Sequence, residues 1–89
     1  MNFLNAINNA SKLLKKKGIK TAQLDSEILM SEATQLNKEN IILNLNKKLT
    51  LKNFKAFNNL IRQRLKRKPV AYLTGKKEFW KYEFYVNRD

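Results

Sequence analysis

The sequence contains no cysteine and no histidine, which removes most of the ways a small protein can do chemistry. Thiolate nucleophiles, histidine general bases, disulfides and cysteine-bearing zinc sites all need residues that are missing. What remains is seven carboxylates, the serine and threonine hydroxyls, and nineteen Lys and Arg. The carboxylates are scattered. Asp25 and Glu32 stand two turns apart on one helix face, and Glu39 lies beyond a helix break, so no close dyad for acid–base work is predicted. Asp25 and Glu27 read as solvated charges that complement a helix N-terminus. Gly18 and Gly75 stand alone, so neither a phosphate-cradling loop nor a dinucleotide-binding fingerprint is present. This stretch reads as no enzyme by itself, with no catalytic, cofactor-binding or metal-ligating residue.

The other chemical resource is positive charge, a formal net of +12. From Lys47 to Lys68 there are nine Lys or Arg and no acid. Lys52, Lys55, Arg62, Lys66 and Arg67 fall largely opposite an apolar stripe of Phe54, Phe57, Ile61 and Leu65. Such a face is either the solvated side of an amphipathic helix or an electrostatic surface for RNA, or for a partner working near RNA. Fifteen of the basic residues are Lys and Asn occurs twelve times, so A/T-rich codon usage is a second source of the charge. No exposed aromatic is predicted among these charges in a single-strand-binding pattern. A DNA-reading helix-turn-helix across the second and third helices fits poorly, because the loops are asparagine-rich and the third helix is short.

The elements that must carry these residues are helical for most of the 89 residues, one small domain's worth of chain. Phe3, Ile7, Ala10 and Leu14 recur at helical spacing from about Phe3 to Lys17, with Leu4 and Leu13 widening the stripe. Lys15 to Lys17 suit the negative end of that helix, and Gly18 its left-handed cap. Thr21 is the expected N-cap of a second helix buried through Leu24, Ile28, Leu29, Ala33 and Leu36. Asn37 caps a short third helix from Lys38 to about Leu43. Thr50 caps a long fourth one to about Arg67, with Leu51, Phe54, Phe57, Ile61 and Leu65 in its stripe. Pro69 suits the first turn of a brief fifth helix, Val70 to Thr74, closed by Gly75. From Lys77 the period changes: Trp80, Tyr82, Phe84 and Val86 alternate with polar neighbours, which is strand spacing. The fold class is therefore mainly α, a bundle of four to five helices followed by a C-terminal β-hairpin or strand linker. Residues 1–75 form the helical domain and 76–89 the linker. The aromatic tail wants a surface to pack on; it either folds back on the helices or meets a further domain. No apolar run approaches a membrane span, and no signal peptide begins the chain, so a soluble, cytoplasmic protein is expected.

Lys68-Pro69-Val70-Ala71-Tyr72-Leu73-Thr74-Gly75, followed by Lys77-Glu78-Phe79-Trp80 and Phe84-Tyr85-Val86-Asn87, resembles the end of the N-terminal domain and the connecting hairpin of the PrmC/HemK enzymes. Upstream, Gly18-Ile19 with Leu24-Asp25-Ser26-Glu27-Ile28-Leu29 is similar to that family's second-helix entry. Leu49-Thr50 ahead of a helix ending in Arg62-Gln63-Arg64 also fits, so the likeness runs through the chain in order.

The resemblance implies a role. Those enzymes are S-adenosylmethionine-dependent methyltransferases acting on the glutamine of the Gly-Gly-Gln motif in class I peptide chain release factors. Their cofactor loop and Asn-Pro-Pro-Tyr motif follow the hairpin, and neither is found in this sequence. The chain is thus expected to be a release-factor-docking domain, with S-adenosylmethionine bound by a further domain and not by these residues. Pro69, Tyr72, Gly75, Phe79, Trp80, Tyr82 and Phe84 are the expected interdomain or linker contacts. Lys52, Lys55, Arg62, Lys66 and Arg67 are the expected docking surface for release factor, with transient proximity to ribosomal RNA and no membrane. The competing reading is a free-standing basic helical protein that binds RNA or the ribosome.

Overall fold

Five helices follow one another through the described residues, 1–75, of a computed structural model: α1 (Phe3–Lys16), α2 (Ala22–Thr34), α3 (Lys38–Leu43), α4 (Leu51–Leu65) and α5 (Val70–Thr74). The β tail expected over 76–89, with Phe79, Trp80, Tyr82 and Phe84, lies outside the described residues. Among those described there is no sheet; Asn2 and Lys48 form an isolated antiparallel bridge.

That bridge fixes how α1 and α4 lie. A helix begins with N–H groups that have no partner inside it, and α1 satisfies its own from two sources. The Asn2 side chain accepts from the Asn5 N–H at 2.8 Å. The N–H groups of Phe3 and Leu4 donate to the carbonyls of Lys47 and Leu45, 3.1 and 3.0 Å away in the loop ahead of α4. Leu49 closes the junction by donating to the Met1 carbonyl at 3.0 Å. Both helices therefore start at one end of the molecule. Both also finish together, because the Arg67 guanidinium donates to the Lys17 carbonyl. Helices α1 and α4 run parallel, and α2 returns antiparallel to them.

Phe3, Ala6, Ile7, Ala10 and Leu14 of α1 pack against Leu29 and Met30 of α2 and Phe57 and Ile61 of α4 to form the core. The apolar periods of α1 and α4 predict these faces correctly, with two kinds of exception. Leu51 is 67% exposed at the first position of α4, where the stripe has not yet reached the core. Leu4 and Leu13 flank the α1 stripe and remain 38% and 50% exposed.

The second helix departs further. It touches α1, α3, α4 and α5, and a helix packed from several sides does not show one amphipathic stripe. Asp25 and Ser26 are buried there while Leu24 is 49% exposed, the reverse of the expected pattern. Ser26 is tolerated because its hydroxyl donates to the Ala22 carbonyl at 2.8 Å. Thr21 does occupy the N-cap position, but its hydroxyl donates to Asp25 at 2.9 Å rather than accepting from the backbone.

The two parallel helices end alike. After α1, Gly18 N–H bonds Lys15 O and Ile19 N–H bonds Leu14 O. After α4, Arg67 N–H bonds Arg64 O and Lys68 N–H bonds Gln63 O. Each is a Schellman arrangement with a left-handed residue just past the cap: Gly18 at φ 81° and, where glycine is usual, Arg67 at φ 71°. Ile19 and Leu14 are both buried and complete the hydrophobic closure of the first. Gly18→Ala is expected to cost about 1–2 kcal/mol, because an L-residue resists this conformation. Space is not the obstacle, since an added Cβ would meet Arg67 Nη2 at 3.6 Å, an ordinary contact. Urea unfolding of the variant checks the value, and an unchanged midpoint would contradict the cap.

Candidate functional site

The helix ends converge on a small network that ties α2 to α4 and α5. Asp25 in the first turn of α2 accepts from Arg64 Nε at 3.0 Å and from the Thr21 hydroxyl at 2.9 Å. The two charged side chains are 6% and 17% exposed. Arg64 Nη1 also donates to the Lys68 carbonyl at 3.1 Å, so the same guanidinium holds the connection into α5. Asp25 is therefore not the solvated dipole-complementing charge that its position suggested. A readable signal was present: Asp25 falls on the helical series Ala22, Asp25, Leu29, and Arg64 on the series Phe57, Ile61, Arg64. Opposite charges on two buried faces find each other, because burying either alone would be costly.

The residues expected to dock a partner lie outside that network. Lys52, Lys55, Arg62, Lys66 and Arg67 are all exposed on or just beyond α4. Arg67 differs from the others because its guanidinium also clamps the end of α1. Of the expected linker contacts, Pro69, Tyr72 and Gly75 are exposed on α5 and its caps; Phe79, Trp80, Tyr82 and Phe84 fall outside the described residues. Tyr72 is 70% exposed, and Lys68 Nζ lies 5.8 Å from its ring centroid. A basic residue paired with an exposed aromatic is thus present where none was foreseen.

Two apolar hollows mark the surface. One of 160 Å³ lies between α1 and α4, bordered by Met1, Ala10, Leu13, Phe54 and Ile61. The other, of 140 Å³, lies between α1, α2 and α3, bordered by Leu4, Ile7, Glu27, Ile41 and Ile42. Neither collects a set of groups able to act on a substrate. Among the described residues no cluster of carboxylates is placed to hold a metal ion, and no helix is long and apolar enough to cross a membrane.

Residues 5–75 match the family model described as the PrmC N-terminal domain. The chain belongs to this family. It is 39% identical over 92% of its length to a protein of Rickettsia typhi named bifunctional methyltransferase. It is 33% identical over 98% of its length to a release factor glutamine methyltransferase of Leptospira interrogans, and 34% identical over 82% to the one of Geobacter sulfurreducens. The chain spans 16%, 30% and 26% of those three relatives. No solved structure matches it. The ordered likeness read from Pro69 to Gly75 and from the second-helix entry is therefore a family relationship.

Relatives named as methyltransferases raise the question of S-adenosylmethionine. Both glycines serve as left-handed helix caps, so no glycine-rich loop is available.

Proposed function

We propose that this domain grips a peptide chain release factor on behalf of an S-adenosylmethionine-dependent methyltransferase domain. That domain would methylate the glutamine of the Gly-Gly-Gln motif in class I release factors. The observation that carries the reading is the family match over residues 5–75, together with relatives named for release factor glutamine methylation. The domain's contribution is binding and orientation. Holding a large substrate in register converts an encounter into an effectively intramolecular reaction, and a cationic face speeds docking onto an acidic partner. The acid-free surface of α4, with Lys52, Lys55, Arg62 and Lys66 exposed, supports such a role. The setting is the cytoplasm, close to ribosomal RNA.

Stopped-flow association of the chain with a class I release factor tests this. The triple variant Lys52→Glu, Lys55→Glu, Lys66→Glu is expected to lower the on-rate about tenfold at low salt, with the difference fading as salt rises. Circular dichroism should show the wild-type fold, since all three side chains are exposed. An unchanged on-rate at low salt would remove α4 as the docking surface. Absence of any binding by the wild-type chain would overturn the docking role.

A further inference from the structure

The end of the molecule where α1 and α4 finish joins two basic clusters that the sequence keeps far apart. Lys16 ends α1, and Lys17 and Lys20 follow it; Lys66, Arg67 and Lys68 follow α4, and all six are exposed. The hydrogen bond from Arg67 to the Lys17 carbonyl spans 50 residues of sequence and brings the clusters into contact. The two carboxylates in the first half of α2 are engaged elsewhere. Asp25 is buried and held by Arg64, and Glu27 borders the hollow beside Leu4 and Ile7. Helix C-termini would ordinarily repel an anion, but here several of their carbonyls are occupied. Leu14, Lys15, Gln63 and Arg64 accept from the cap N–H groups, and Lys17 accepts from Arg67. At the margin stands Tyr72, 70% exposed, with Lys68 Nζ 5.8 Å from its ring centroid.

We propose that this pole is a binding site for single-stranded RNA, the lysines following the phosphate backbone while Tyr72 stacks on a base. The pole shares Lys66 and Arg67 with the expected docking surface, but the RNA site does not rest on the release-factor reading. One feature favours RNA over an acidic protein. An exposed aromatic beside such charges supplies stacking, which gives sequence-tolerant affinity for unpaired bases and nothing comparable for a carboxylate.

Fluorescence anisotropy of a labelled oligouridylate of about twelve nucleotides, titrated with the chain at several salt concentrations, tests the site. The log of the affinity should fall linearly with log salt, with a slope of about −0.7 per phosphate contacted. Lys17→Glu with Lys20→Glu should weaken binding roughly tenfold and flatten that slope. The matched pair Lys52→Glu with Lys55→Glu, equal in charge change but placed on the α4 surface, should cost less than about twofold. Tyr72→Ala should weaken binding at least about fivefold and leave the slope unchanged, because a stacked ring is lost and no phosphate contact is. The proposal fails if Tyr72→Ala binds as the wild type does, or if the α4 pair costs as much as the pole pair. It also fails if a polyglutamate of equal length binds as tightly as the RNA.

Discussion

Truncation of Phe57 to alanine is expected to remove about 3–5 kcal/mol of folding stability, the usual cost when a buried aromatic leaves a cavity. Phe57 is 1% exposed at the centre of α4, in the core formed with Leu14, Leu29 and Met30. The described bundle is small, and a domain of this size has only about 5–10 kcal/mol in total. The loss is therefore about half of what it has. Thermal melts should show Tm falling by about 15 °C or more, since each kcal/mol is worth roughly 4–8 °C at this length. Leu24→Ala and Leu51→Ala, at exposed positions of α2 and α4, should each stay within about 0.5 kcal/mol of the wild type. Equal losses at Phe57 and Leu51 would contradict the packing.

Arg64→Met is the second change with a large expected effect, about 3–5 kcal/mol, because it leaves the Asp25 carboxylate buried without its counter-charge. It also frees the Lys68 carbonyl, so α5 loses a tie to α4. The informative comparison is the double variant Arg64→Met with Asp25→Leu. Replacing a buried pair by apolar groups is often close to neutral, so the double variant should be more stable than Arg64→Met alone. Urea unfolding of the four proteins gives the coupling energy directly. Additive losses would mean that the 3.0 Å contact carries no net interaction. Because Arg64 spans α2, α4 and the entry to α5, hydrogen exchange in α5 should rise in the single variant before global unfolding does.

These two positions differ in how visible they were beforehand. Phe57 lies in a clean stripe with Phe54 and Ile61, and a stripe at helical spacing is a local property of the chain. The ends of the helices were equally local. Asn37 and Thr50 cap α3 and α4 through their own side chains, at 2.9 and 3.1 Å, and Gly18 and Gly75 close α1 and α5 in the left-handed region. The exposure of Lys52, Lys55, Arg62 and Lys66 followed from the same period. Asp25 was misread because a carboxylate near a helix start satisfies the dipole argument wherever the helix happens to be. Only its packing between other helices turns it inward.

By itself, the sequence determined the five helices, the side-chain caps of α3 and α4, the glycine closures of α1 and α5, the core faces of α1 and α4, and the family, all through patterns that lie within a few residues of one another. Tertiary structure alone decided that α1 and α4 run parallel, and three consequences followed from that. Asp25 met Arg64, 39 residues away; the Arg67 side chain reached the Lys17 carbonyl; and two separate lysine clusters became one cationic pole beside Tyr72. A residue's period says which face it occupies, but only the arrangement of neighbouring helices says whether that face meets water, an apolar surface or an opposite charge.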